Sequence, residues 1–109
     1  MNDPAKLLGL LGMARRAGRL AIGFDAAVAA LKDGKSDTVL LASDGSPKTA
    51  KECRFHAGDA AVIRLPLSKT AFAAAIGAHK PVAVAAVCDG GFAAAIRPYG
   101  IDTKEDISL

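Results

Sequence analysis

Three short apolar runs, each of strand length and separated by helical segments, constrain the fold of this chain more than any other feature. They are Thr38–Ala42 (TVLLA), Ala61–Leu65 (AVIRL) and Val82–Val87 (VAVAAV). Continuous apolar runs of this length are typical of strands that are buried on both faces. Because strands that alternate with helices form a sheet covered on both sides, the pattern predicts a three-layer α/β/α sandwich with a largely parallel sheet.

The segments between these runs carry the residues that begin and end helices. Serine, or aspartate with proline, stands at several of the expected starts, and glycine stands where four of the helices should stop. The predicted helices cover residues 5–17, 23–33, 47–58, 69–77 and 91–97, with a short apolar stretch at 20–22.

The length of 109 residues corresponds to one domain. We expect residues 1–100 to fold and residues 101–109, which carry four charges, to form a mobile tail. With 24 alanines and no tryptophan, the composition favours closely packed helices and argues against an all-β sandwich. No apolar run reaches the roughly 18 residues of a membrane span, so we predict a cytoplasmic protein without a membrane partner.

The residue types that carry chemistry are too scattered to predict a catalytic site. Two cysteines, Cys53 and Cys88, are too few for a disulfide framework or a four-cysteine zinc site. His56 and His79 lie on different elements, and neither has another histidine at metal-ligand spacing. The segment Asp89–Phe92 lacks the third glycine of a phosphate loop and is typical of a turn into a helix. We therefore predict a protein that is not an enzyme and that uses no metal or cofactor.

The positive charge of the chain is unevenly distributed. The formal net charge is +3, and residues 1–24 and residues 53–97 each carry a balance of +3. Basic clusters of this kind favour a nucleic-acid partner, and many ordinary proteins also have them.

The first predicted helix places its leucines on one side. Leu7, Leu10, Leu11, Ala14 and Ala17 form the expected core face, and the opposite side carries Gly9, Gly12 and Arg16, with Arg15 beside them. Two glycines on an outward face indicate the close approach of another backbone. In one interpretation, the arginines contact RNA or a partner. In the other, this side of the helix packs against the chain's own acidic tail, at Asp102, Glu105 and Asp106, and the arginines bind no other molecule.

The second predicted helix begins at Gly23, shortly after Arg19. Free backbone N–H groups and the positive end of the helix dipole make such a start a natural anion site. Its predicted inward face holds Phe24, Ala27, Val28 and Leu31, and its outward face holds Asp25, Ala26, Ala29, Lys32 and Asp33.

The segments Leu7–Gly23 (LLGLLGMARRAGRLAIG), Thr38–Asp44 (TVLLASD) and Val84–Asp89 (VAAVCD) resemble the kink-turn RNA-binding ribosomal proteins of the L7Ae and L30e type. The resemblance covers about residues 5–97 and is strongest to the bacterial YlxQ-like branch, which also occurs as the second half of YlxR–YlxQ-type fusions. It implies a four-stranded mixed sheet in which residues 20–22 supply the additional strand.

The resemblance also implies RNA binding near the ribosome through Gly23–Ala29 and through the loop Ala78–Val82. At the three positions where the family carries Asn, Glu and Lys on its RNA-reading helix, this chain has Asp25, Ala26 and Ala29. Alanine neither reads a base edge nor neutralises a phosphate, so binding led by phosphates is expected instead. The candidate RNA-binding residues are Arg15, Arg16, Arg19, Gly23, Phe24, Asp25, Ala26, Ala29, Lys32, His79 and Lys80.

Two other functions are compatible with the same residues. The alanine-rich outer face of the second helix could bind a protein partner, in which case the fold is retained without kink-turn recognition. The chain also resembles the accessory domain that recruits RNA to larger RNA-modifying enzymes.

Overall fold

Helix starts and stops follow the capping residues of the sequence in the computed structural model, which describes residues 3–103. The side chain of Ser46 accepts a hydrogen bond from the backbone N–H of Thr49, and that of Ser68 accepts one from Ala71. Gly77 ends its helix in the left-handed conformation, with φ 71°. The five predicted helices are confirmed, with shifts of one or two residues at their ends.

The bounds of the elements are as follows. The helices are α1 (Pro4–Arg16), α2 (Phe24–Lys32), α3 (Pro47–Ala57), α4 (Lys69–Ile76) and α5 (Gly90–Ile96), and a 3-10 turn covers Arg97–Tyr99. The strands are β1 (Leu20–Ile22), β2 (Thr38–Leu41), β3 (Ala61–Arg64), β4 (Val84–Val87) and β5 (Ile101–Asp102).

The sheet separates two cores, which confirms the three-layer α/β/α sandwich. Leu40, Ile63, Ala85 and Val87 point to the face covered by α1, α4 and α5. Alternate strand residues point to the opposite face, which α2 and α3 cover. The buried residues of α2 and α3 are all alanine or cysteine, so these two helices pack closely on the sheet. The high alanine content of the chain is thereby explained for this layer.

The expectation of a largely parallel sheet is wrong. The strand order is β1-β4-β2-β3-β5, and β2 with β3 is the one parallel pair among the described strands. The strand β4 runs antiparallel to β2 because the segment after α4 turns back beside that helix. The backbone N–H of Val82 donates to the carbonyl of Lys69 at 3.0 Å. Because Lys69 begins α4 shortly after the end of β3, this bond brings the chain back beside the end of β3 before β4 begins. The mixed sheet implied by the family resemblance is the arrangement found.

A fifth strand lies beyond the four that the resemblance implied. Ile101 pairs with Arg64 across β5 and β3, and the Thr103 hydroxyl donates to the carbonyl of Val62 at 2.9 Å. Gly100 allows this pairing, since a Cβ there would lie 2.6 Å from the carbonyl oxygen of Arg64. The structure therefore joins 101–103 to the sheet, although the sequence placed them in the tail. The rest of that expected tail, 104–109, lies outside the described residues.

One face of α1 differs from the expected arrangement. Leu7, Leu11 and Ala14 are buried as predicted, whereas Leu10 is half-buried and Ala17 is exposed. On the side predicted to face outward, Gly12 is buried and Gly9 is exposed. A Cβ at Gly12 would lie 3.3 Å from the carbonyl oxygen of Ala75 in α4. The backbone that approaches this face thus belongs to α4, and a Cβ at Gly12 would press against it.

Candidate nucleic-acid interface

Three helices begin at the same end of the strands of the sheet. Leu41 pairs with both Arg64 and Val84, and Ile22 ends β1 beside them, so these residues share one edge, which we call the Val84 end. The helices α2, α3 and α4 begin here because they follow the last residues of β1, β2 and β3. Their positive dipole ends therefore lie at this edge. The opposite edge, at Val87, is called the Val87 end.

The start of α2 differs from those of the other described α-helices because no side chain caps it. The other four starts are capped by the side chains of Asp3, Ser46, Ser68 and Asp89. Gly23 occupies the cap of α2 with φ 98° and ψ 161°, a conformation that L side chains rarely adopt. The first-turn N–H groups of α2 thus remain available as donors to an anion.

The loop after α4 lies against this uncapped helix start. Gly23 and Phe24 line a cleft of about 530 Å³ together with His79 and Lys80. His79 and Lys80 are exposed, and Lys80 adds a positive charge at the mouth of the cleft. Of the two segments that the resemblance paired, the fold therefore brings the start of 23–29, at Gly23 and Phe24, against 78–82.

The remaining α2 candidates spread along its exposed side. Asp25, Ala26 and Ala29 are solvent-exposed beside the cleft, whereas Lys32 lies in the last turn, about 12 Å along the helix from Phe24. The Asp25 carboxylate sits in the first turn and places negative charge where a phosphate would approach. The outer surface of α2 is consequently poor in cations at its start.

The three arginines of the first segment lie elsewhere. The carbonyl of Arg19 accepts a hydrogen bond from Cys88 at 2.8 Å, which places Arg19 at the Val87 end. The four positions from Arg19 to Gly23 span about 13 Å of extended chain. Arg15 and Arg16 are exposed in the last turn of α1, which leads into the same edge. The structure thus separates these arginines from the start of α2, beside which the sequence had placed Arg19.

Two arginines that the sequence analysis did not select do lie at the Val84 end. Arg54 of α3 and Arg64 of β3 line a second cleft of about 230 Å³, whose lining contains no acidic residue. Both side chains are half-buried, and neither guanidinium has an ion-pair or hydrogen-bond partner within residues 3–103. By contrast, Arg97 at the other edge donates to the Thr38 hydroxyl at 2.7 Å. For Arg64, the signal in the sequence was a cation at the fourth position of the otherwise apolar run AVIRL.

The part of the chain that is described shows no metal-binding group of side chains. Burial raises the pKa of the Cys53 thiol from 9.0 to about 11, and the Glu52 carboxylate adds to the rise. Cys53 is therefore a protonated, inert thiol at neutral pH. No helix within residues 3–103 is long and apolar enough to cross a membrane.

Comparison with known proteins agrees with this architecture. The fold is a small α/β/α sandwich in which the uncapped start of the second helix lies beside the loop before β4. The sequence profile of the Ribosomal protein L7Ae/L30e/S12e/Gadd45 family matches residues 5–96, and the chain belongs to this family.

Two solved structures resemble the chain. A protein of unknown function from Bacillus halodurans is 32% identical, with a TM-score of 0.78 over 87% of this chain and 96% of that one. The Giardia lamblia 15.5kD RNA binding protein is 22% identical, with a TM-score of 0.70 over 90% of this chain and 88% of that one. This second likeness shows the fold. No curated protein matches the sequence.

Proposed function

We propose that this protein binds structured RNA, ribosomal RNA in particular, at the Val84 end and catalyses no reaction. The observation that carries the proposal is the uncapped start of α2 at Gly23, which faces Lys80 across one cleft. Membership of the L7Ae/L30e family and the RNA binding stated for the Giardia protein support RNA as the partner. Family membership also supports a cytoplasmic role in translation. The placement in the YlxQ-like branch rests on the sequence resemblance of segments such as Leu7–Gly23.

Electrostatic contacts to phosphates supply most of the binding free energy in this proposal. Four cations lie at the Val84 end: Lys80 on the loop, Lys69 at the start of α4, and Arg54 with Arg64 in the second cleft. Each neutralised phosphate steepens the salt dependence of the affinity, so four contacts predict a log–log slope of about −3 to −4. Binding without base reading is expected in the micromolar range or weaker.

The base-reading part of the family's interface is reduced in this chain. Asp25, Ala26 and Ala29 are exposed at the positions where Asn, Glu and Lys are typical. Each lost bidentate contact removes about 1–3 kcal/mol of discrimination. The proposed target is therefore structured RNA recognised by its phosphates and shape, without a preference for kink-turns.

The arginines at the Val87 end enter the proposal as a second contact. Arg15, Arg16 and Arg19 are exposed and have no ion-pair partner within residues 3–103. An RNA long enough to pass from the Val84 end along β1 would reach them after about 13 Å. A short RNA would not reach them.

The test is a titration of a labelled ribosomal RNA fragment, followed by fluorescence anisotropy at about 50 mM and about 200 mM salt. We expect binding at low salt and a loss of roughly two orders of magnitude in affinity at high salt. Absence of binding at low salt, or an affinity that does not respond to salt, contradicts the proposal.

A protein partner is the second candidate function. The exposed Ala26 and Ala29 favour it, because alanine offers neither a charge to a phosphate nor a hydrogen bond to a base edge. Ala29→Lys separates the two functions, since the added charge should strengthen RNA binding and disrupt a protein interface. An accessory role beside an RNA-modifying enzyme would retain the same RNA contacts.

A further inference from the structure

The outer face of α3 combines an exposed aromatic ring with positive charge. Lys48, Lys51 and Phe55 stand three and four positions apart, which places them on one stripe of the helix. The opposite side of α3 buries Ala50 and Cys53. Phe55 is 82% exposed, the highest value among the large apolar residues that the structure describes.

Phe55 is linked through another ring to the start of α2. Its ring centroid lies 5.2 Å from that of His56, with an edge-to-face angle of 81°. His56 in turn lies 6.0 Å from Phe24, which lines the cleft beside Gly23. Edge-to-face contacts of this kind are favourable and restrict the motion of the rings. The aromatic surface therefore extends without interruption from the cleft to the outside of α3.

The surroundings of Phe55 identify the kind of partner. Lys48, Lys51 and one acidic residue, Glu52, share its face, which therefore keeps a net positive charge, and Arg54 is its neighbour in the sequence. The cores of protein–protein interfaces are depleted of lysine, and two copies of this face would repel one another. Single-stranded nucleic acid requires both features, because bases stack on aromatic rings while cations hold the phosphates.

We infer that the outer face of α3 is a further RNA-contact surface, on which Phe55 stacks against an unpaired base and Lys48 and Lys51 neutralise the adjacent phosphates. The inference rests on the proposed function, since it extends the RNA from the Val84 end across α3. Stacking is tolerant of base identity, so the ligand is an unpaired segment next to the structured part, of no fixed sequence.

The experiment compares two RNAs: a hairpin and the same hairpin with a single-stranded uridine extension. We expect the full-length protein to bind the extended RNA at least fivefold more tightly than the hairpin, the lower limit for one stacked base. Phe55→Ala should abolish this gain and leave the affinity for the hairpin unchanged. Phe55→Tyr should retain the gain, whereas Phe55→Leu, which is apolar but not aromatic, should lose it.

Controls separate this inference from the proposed function. Met13→Ala removes another exposed apolar side chain, on α1, and should change neither affinity. Melting temperatures of the Phe55 variants should match the parent, because the ring is exposed. If Phe55→Ala keeps the gain, the inference is overturned while hairpin binding, and with it the proposed function, stands. If the parent binds neither RNA, both fail.

Discussion

The backbone N–H of Gly23 donates to the carbonyl oxygen of Val84 at 2.9 Å, so the cap of α2 is fixed to the first residue of β4. Since the loop with His79 and Lys80 leads directly into β4, this bond and the β1–β4 pairing hold the two halves of the proposed RNA site together. The two halves are far apart in the sequence, and the pairing of β1 with β4 brings them together.

Gly23→Ala should lower both stability and RNA affinity. The Cβ would meet open space, so the cost comes from φ 98° alone, about 1–3 kcal/mol. Gly9→Ala is the matched control, because Gly9 is exposed in the interior of α1 with nothing within 4 Å of its Cβ position. That change should stabilise the protein by about 0.5–1 kcal/mol. Urea unfolding of both variants measures the difference, and equal effects would contradict the assigned strain.

Lys80→Ala should weaken binding to all structured RNAs about equally and make the salt slope shallower by about one. The reason is that Lys80 contributes one phosphate contact and reads no base. Lys35→Ala, an exposed lysine in the turn at the Val87 end, is the control and should leave the slope for a short RNA unchanged. Identical slopes for the parent and Lys80→Ala would remove this loop from the interface.

A kink-turn RNA should bind the parent no better than an unkinked duplex of the same length. The triple variant Asp25→Asn, Ala26→Glu and Ala29→Lys should create a preference of tenfold or more, about 1.4 kcal/mol, because it restores base-reading and phosphate contacts. Competition binding with the two RNAs measures the ratio. A tenfold preference already present in the parent would show that the exposed alanines do not reduce recognition.

The free energy of unfolding should fall at alkaline pH because the thiol of Cys53 ionises. Its pKa is raised to about 11 in the folded state, so the folded chain holds this proton more tightly than the unfolded chain. The contribution of the protonated thiol to the free energy of unfolding is constant below about pH 9. About 2 kcal/mol of it is lost as the pH rises toward 11. The difference between the parent and Cys53→Ala, measured by urea unfolding at about pH 8 and about pH 10.5, should shrink accordingly. A pH-independent difference would contradict the raised pKa.

Gly100→Ala should detach β5. The added Cβ would collide with the Ile63 side chain and lie 2.6 Å from the carbonyl oxygen of Arg64, which costs about 1–3 kcal/mol in a packed position. Gly90→Ala, with open space around its Cβ position at the start of α5, serves as control. Hydrogen exchange of the Thr103 amide, which donates to Val62, reports the detachment directly. Unchanged protection in Gly100→Ala would show that β3 can move to accept the methyl group.

Local patterns in the sequence were sufficient for the helices, three of the strands and the layered class of the fold. Capping by Ser46 and Ser68 and continuous burial of runs such as TVLLA depend on residues a few positions apart. The two-residue strand β5 has no such pattern, and Gly100 matters only because Arg64 lies against it. The return of the chain beside α4, which makes β4 antiparallel, likewise depends on a contact between Lys69 and Val82.

For the candidate site, the sequence by itself determined which residues are available: a glycine at the start of α2, alanines at 26 and 29, and a histidine and a lysine before β4. Only the tertiary structure decided which of them meet. It placed Lys80 beside Gly23, brought Arg54 and Arg64 to the same edge, and put Arg15, Arg16 and Arg19 at the other. The physical reason is that composition and periodicity specify faces and caps, whereas the register and direction of strands decide which ends of the elements coincide.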